Sequence, residues 1–253
     1  MEVDIVHGYR VARLGETTST NTVVAGEARH GAAEGLVVTA DYQSAGRGRF
    51  DRRWEAPPGT ALLFSVLLRP RTGLALERRH LVVAAVSLAA ARAAEEVAAV
   101  SLSLKWPNDL LAPDGRKVAG VLAEVVDEAV VVGLGLNVSA APEGATCLEA
   151  LAGCPVERDE LLDATLAALA GLCGRWDDVA ALYRERLSTI GKDVVVHLTS
   201  GLAEIRGTAM DVDDAGRLLV RTSDGLVEVA AGDVEHATRA PQCGYGERGV
   251  AAP

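Results

Sequence analysis

Short apolar runs rich in valine and leucine alternate with polar breaks along the first half of the chain, and this pattern predicts strands. Residues 9–14 read as a short strand. Residues 35–41 (Gly-Leu-Val-Val-Thr-Ala-Asp) and 61–68 read as further strands, the former of buried type. Between the first two, Thr17-Thr-Ser-Thr-Asn21 offers several N-caps for a helix that Gly31 can end. A long alanine-rich helix is expected over 76–97. A strand over 102–105 is then broken by Trp106-Pro107. Two hairpin strands follow, 117–126 and 129–138, joined by the acidic turn Asp127-Glu128.

The rhythm changes after Val138. Helical segments are predicted between 157 and 190, and then short alternating strands at 194–198, 203–210, 217–221 and 226–229. Turns at Asp214-Ala-Gly216 and Asp224-Gly225 separate them, the second being a hairpin signal. Short, turn-punctuated strands suit a small antiparallel barrel. The expected organisation is therefore a catalytic-sized α/β body over 1–190, a small β-domain over 191–240, and a disordered tail over 241–253.

Composition narrows the function classes. The chain has 253 residues and a formal net charge of −10, which makes it a poor general binder of nucleic acid or anionic membrane. No apolar run approaches the ~20 residues that span a bilayer. The N-terminus lacks a basic segment followed by an apolar one, so no signal peptide is expected. Cys147, Cys154, Cys173 and Cys243 form no Cys-x-x-Cys pair. They read as reduced thiols of a cytoplasmic protein, a Cys147–Cys154 disulfide being the alternative. Only Lys105, Lys117 and Lys192 are lysines; the other twenty-two basic residues are arginines.

Five segments carry candidate chemistry. In the loop Gln43-Ser-Ala-Gly-Arg-Gly-Arg-Phe-Asp-Arg-Arg-Trp54, four arginines (Arg47, Arg49, Arg52, Arg53) fall within seven residues of an acidic protein. Gly46 and Gly48 let the backbone approach a ligand, and guanidinium forks suit phosphate or carboxylate. A solvated turn fits the same residues. Lys105-Trp-Pro-Asn-Asp109 gathers a lysine, an amide and a carboxylate at a strand end, or is simply an Asx-turn. Lys117 opens the otherwise core-like run to Glu124, so its ammonium either snorkels out or meets a bound anion. Gly133-Leu-Gly-Leu-Asn137 places glycines inside a strand, a mark of close approach by a ligand or another backbone. Thr17 to Asn21 puts hydroxyls at a helix N-terminus, which capping alone explains. No His-Glu-x-x-His, Gly-x-Ser-x-Gly or Walker pattern is present. Cations, amides and glycines remain, a set suited to phosphoryl or nucleotidyl transfer.

Taken in order, these segments resemble the biotin protein ligases, over about residues 17–236. The matching pieces are Ser19-Thr20-Asn21, Gln43 to Arg49 with Trp54, Lys105 to Asp109, Lys117-Val-Ala-Gly-Val-Leu122, and Gly133 to Asn137. The resemblance implies an α+β fold. A mixed central sheet with flanking helices, related to class II aminoacyl-tRNA synthetases and lipoyl ligases, would carry a small C-terminal Src-homology-like β-barrel. It implies activation of biotin with ATP and magnesium to biotinyl-5′-AMP, releasing pyrophosphate, and transfer to one lysine of a carboxylase's biotin carboxyl carrier domain.

Carried over residue by residue, Ser19, Thr20, Asn21, Gln43, Gly46, Arg47, Gly48, Arg49 and Lys117 would contact biotin, with Gly120, Leu122 and Gly135 lining its pocket. Trp54, Lys105, Asn108, Asp109 and Asn137, together with Arg47 and Arg49, would handle ATP and the adenylate. Lys117, Arg47, Arg49 and Lys105 would offset charge developing during the reaction. No protein-held metal is expected beyond the magnesium, for which Asp109 is a candidate. The family usually has glycine where Asp51 stands, and a basic or polar residue at Phe50, which would alter loop closure.

Only eighteen residues precede Ser19, which implies a ligase without the DNA-binding domain of bifunctional members, acting as a monomer or homodimer, with no DNA or membrane partner. The alternatives are a lipoate or octanoate ligase on the related fold, and a non-catalytic biotin-responsive regulator.

Overall fold

The protein is described from a computed structural model, which covers residues 3–70, 74–198 and 204–236. Eight strands form the main sheet: β1 (Val3–Val6), β2 (Tyr9–Thr17), β3 (Leu36–Gln43), β4 (Ala61–Leu68), β5 (Ser103–Lys105), β6 (Asp109–Leu111), β7 (Lys117–Val126) and β8 (Ala129–Asn137). They lie in the order β1-β2-β3-β4-β8-β7-β6-β5. Only β2 and β3 pair in parallel, joined by the crossover helix α1 (Thr20–Arg29). Every other ladder is antiparallel.

β4 shows why the sheet sits as it does. All eight of its residues are buried, because alternate side chains feed two cores. Leu62, Phe64, Val66 and Leu68 face α2 (His80–Ala98) and α4 (Arg158–Leu172), while Leu67 joins Val24, Ala25 and Ala28 of α1 on the opposite face. The alanines of α2 are all buried and let that helix lie close to its neighbours. α3 (Leu148–Ala152) and α5 (Trp176–Arg186) complete the α2 side. α1 covers only part of its own face. Beyond it, at Gly135 of β8, the face is covered by Trp54 at the end of the arginine loop.

The C-terminal unit is a five-stranded antiparallel sheet of β9 (Asp193–His197), β10 (Glu204–Val212), β11 (Leu218–Thr222), β12 (Gly225–Val229) and β13 (Asp233–His236). Its order is β12-β11-β10-β9-β13, with no ladder between the two edge strands among the described residues. Val194, Val196, Val220, Leu218 and Val234 are buried on one face, continuous with the core of the main sheet. The expected α+β class and mixed sheet are therefore present.

The expected elements from β2 to β12 are found, with bounds shifted by a few residues. Four were not anticipated: β1, β6, α3 and β13. Each has five residues or fewer, a length at which the hydrophobic period is a weak signal. The tail expected to be disordered lies outside the described residues, as does Cys243. Cys147, Cys154 and Cys173 are free thiols, so no Cys147–Cys154 disulfide forms. No described helix is long and apolar enough to cross a membrane.

Candidate active site

Gly120 of β7 and Gly135 of β8 stand directly opposite each other in register. Two missing side chains side by side leave a trench in the sheet. The indole of Trp54 lies in it. A Cβ at Gly135 would collide with Trp54 Cε2, and one at Gly120 would stand 3.3 Å from Trp54 Cζ3 and 3.2 Å from Lys117 Nζ. Gly133 meets a different neighbour, since a Cβ there would collide with Asn21 Oδ1. Both glycine positions of β8 are thus set by close approach, but of side chains rather than of the ligand or backbone that the sequence suggested.

At the start of α1 the structure departs from the capping explanation. Ser19 occupies the N-cap but makes no side-chain capping bond. Instead Gln43, at the end of β3, accepts from the Thr20 backbone N–H at 2.7 Å and from Thr20 Oγ1 at 3.0 Å. The fully buried Ser65 hydroxyl lies 2.8 Å from Thr20 Oγ1 and 2.5 Å from Asn21 Oδ1. Asn21 in turn donates to Leu122 O and to Glu124 Oε1, at 3.3 and 2.9 Å. Both hydrogens of that amide are therefore committed within the protein.

The arginine loop is folded back on itself. Gly48 N–H donates to Arg52 O, Trp54 N–H donates to Gly46 O, and Arg47 bridges Arg53. Gly46 serves this turn, because a Cβ there would strike Trp54 O. Side chains then tether the loop at both sides. Arg47 Nη1 donates to both oxygens of Glu124, at 3.0 and 2.9 Å. Arg49 donates to Asn108 Oδ1 and to Gly232 O, and Arg52 is ion-paired with Asp233 of β13. Arg49 also lies 4.5 Å from the Phe50 ring centroid, and burial lowers its pKa. Phe50 and Asp51 both adopt left-handed φ, +55° and +58°. That is why glycine suits the Asp51 position.

Lys117 neither snorkels out nor waits free for an anion. Its Nζ pairs with Asp109 Oδ1 at 2.6 Å and sits 5.8 Å from the Trp54 ring centroid. Asn108 is pinned to β7 by reciprocal bonds with Val121, Nδ2 to O at 2.7 Å and O from N–H at 2.9 Å.

Fourteen of the seventeen sequence-predicted residues line one cavity of about 130 Å³; Gly46, Lys105 and Asn137 do not. Gly46 and Asn137 line a second, larger cavity of about 570 Å³, which shares Gln43, Arg53 and Trp54 with the first and also includes Pro57, Pro58 and Ala141. Trp54 is the shared wall, and its Nε1 is buried without a partner. Asn137 Oδ1 is likewise unpartnered, its Nδ2 donating to Thr146 O. Lys105 opens onto a third cleft, with Arg52, Asn108, Asp109 and β13; burial lowers its pKa. Among the described residues no cluster of three or more His, Cys, Asp or Glu could hold a metal.

Sequence reasoning left three residues out of the site. Ser65 is the one hydroxyl in an otherwise apolar strand, a signal that was available. Glu124 stands out in the sequence only as the end of the β7 run. Asp233 reaches the loop from a distant segment and carries no local signal.

The chain is similar to known proteins over most of its length. Residues 14–138 match the biotin/lipoate A/B protein ligase family, and residues 189–237 match the biotin protein ligase C terminal domain. A Mycobacterium tuberculosis protein named biotin–[acetyl-CoA-carboxylase] ligase is 37% identical over 88% of this chain and 87% of its own length. A Paracoccus denitrificans protein of the same name is 32% identical over 87% and 98%. The fold resembles the structure described as biotin protein ligase from Aquifex aeolicus in complex with biotin and ATP. That likeness has a TM-score of 0.76 and 27% identity over 90% of this chain and 99% of that one.

Proposed function

We propose, on the premise that this chain belongs to the biotin protein ligase family, that it activates biotin with ATP and transfers it to a lysine of a carboxylase's biotin carboxyl carrier domain. The observation that carries this reading is the opposed Gly120–Gly135 trench, ringed by Lys117, Arg47 and Arg49 and walled by Trp54.

In the first step a biotin carboxylate oxygen attacks the α-phosphorus of ATP, and pyrophosphate leaves with the bonding pair of the broken P–O bond. Both partners are anionic, so the site must offset charge. Biotin takes the first cavity, beside the trench that Trp54 fills, with Thr20, Gln43 and Ser19 at its polar end. Lys117 guides the carboxylate, exchanging its Asp109 contact for the substrate. Arg47 and Arg49 hold the α-phosphate. The adenine takes the second cavity, against Trp54 and beside the unpartnered amide oxygen of Asn137. Lys105 and Arg52, which line the third cleft, face the leaving pyrophosphate. Asp109 fits a magnesium ion carried in on the nucleotide, since such ions take one or two carboxylates plus phosphate oxygens.

In the second step the carrier lysine's amine attacks the mixed-anhydride carbonyl, and AMP leaves. No enzyme nucleophile is needed, in keeping with the absence of a nucleophile motif. The loop shields the anhydride from water until the acceptor arrives. A cytoplasmic location accords with three free cysteines, and the net charge of −10 opposes a DNA-binding role.

Incubation with ATP, magnesium, an apo-carrier domain and either biotin or lipoate tests the proposal by mass spectrometry of the carrier. The biotin adduct is expected. Transfer of lipoate alone would assign the related lipoyl chemistry instead, and binding of biotin without pyrophosphate release would indicate a regulator.

A further inference from the structure

Glu124 lies on the same face of β7 as Gly120 and Leu122, opposite Val131 in the ladder. It is the last member of a polar side-chain circuit that begins and ends on the arginine loop. Gln43, where the loop leaves β3, accepts from Thr20. Ser65 stands between Thr20 and Asn21, Asn21 donates to Glu124, and Arg47, inside the loop, donates to both Glu124 oxygens. Glu124 is the only carboxylate in this circuit. It fixes which way the Asn21 amide points, because a carboxylate only accepts and so draws Nδ2 towards itself, leaving Oδ1 for Ser65.

We propose that Glu124 is a positioning residue for the ligation reaction: it latches the arginine loop to the sheet through Arg47 and orients Asn21 at the floor of the cavity. Its consequence for the adenylate rests on the ligase reading above; the latch itself does not. Arg47 is half exposed in this pair, so the contact adds little to global stability. Its effect falls on local opening of the loop.

Glu124→Gln keeps the size but places an amide N–H₂ where two donors converge. Trypsin, which cuts after arginine, reads loop opening in the ligand-free protein. Cleavage within residues 47–53 should accelerate about tenfold, as for loss of one charge-assisted hydrogen-bonded pair, with the thermal midpoint nearly unchanged. Release of biotinyl-5′-AMP should accelerate about as much. In an Arg47→Ala background Glu124→Gln should add nothing to that release rate, since the two act as one unit.

Unchanged loop cleavage and unchanged adenylate release would overturn the proposal, and so would effects of Glu124→Gln and Arg47→Ala that multiply. Should no adenylate form at all, the ligase reading fails while loop cleavage still decides the latch. Should Glu124→Gln not fold, Glu124→Asp, which keeps the charge but shortens its reach, is read in its place. An intermediate rise in cleavage is expected, and none would overturn the latch.

Discussion

The two halves of this site are held by different forces. The sheet half, with Gly120, Gly133 and Gly135, is fixed by backbone ladders on both sides and carries its specificity as missing side chains. The loop half, from Gly46 to Arg53, makes few backbone bonds outside itself. It is held by ion pairs and hydrogen bonds from Arg47, Arg49 and Arg52 to Glu124, Asn108 and Asp233. Ladder-held geometry changes only by collision or cavity, whereas an exposed ion pair opens at little cost. On the proposed reading this is a division of labour: the sheet would shape what binds, and the loop would set how long the product stays.

That division can be broken by experiment. The largest effect is expected at Lys117, the cation that begins β7. Lys117→Ala should lower adenylate formation by about 10²–10³, the range for removing one charge-stabilising donor, while thermal unfolding is retained. A rate within a few-fold of the unmutated protein would remove Lys117 from the chemistry. Next comes Gly135→Ala, whose methyl collides with the Trp54 ring. Overpacking of this kind should weaken biotin affinity by about tenfold or more, read by calorimetry. If it speeds adenylate release and leaves biotin affinity alone, the halves are wrongly divided.

Smaller effects belong to the loop. Arg47→Ala should leave biotin affinity within about threefold and release the adenylate about tenfold faster, measured by a chase experiment. Equal retention would show that the loop is no lid. Asp51→Gly removes a left-handed φ from a residue with a Cβ, a relief of about 1 kcal/mol. It should slow adenylate release by about fivefold, and faster release would place the strain elsewhere.

Much of the sheet half was legible in the sequence. β7 and β8 showed as apolar runs, and the glycines of Gly133-Leu-Gly-Leu-Asn137 signalled close approach inside a strand. What approached was another side chain, Trp54, as well as a prospective ligand, and no local pattern gives that. The arginine loop was legible as a cluster of charge, but not its tethers, because Glu124 and Asp233 are brought to it by tertiary folding. Asp109 was read at a strand end; the structure instead starts β6 with it, which turns its carboxylate to Lys117. The hydroxyls before α1 look like caps in the sequence, yet Gln43 takes the Thr20 N–H, Ser19 makes no capping bond, and the Thr20 hydroxyl is bound to Gln43 and Ser65. Local composition thus picked out the candidate groups, and long-range pairing decides which of them are engaged by other side chains.

The central claim is that this trench and its cations turn biotin and ATP into an adenylate. Isotope exchange between labelled pyrophosphate and ATP measures that step alone, without the carrier. The account predicts exchange that requires biotin, is not supported by lipoate, and is nearly abolished by Lys117→Ala. Exchange that is absent with biotin, or unaffected by Lys117→Ala, would contradict it.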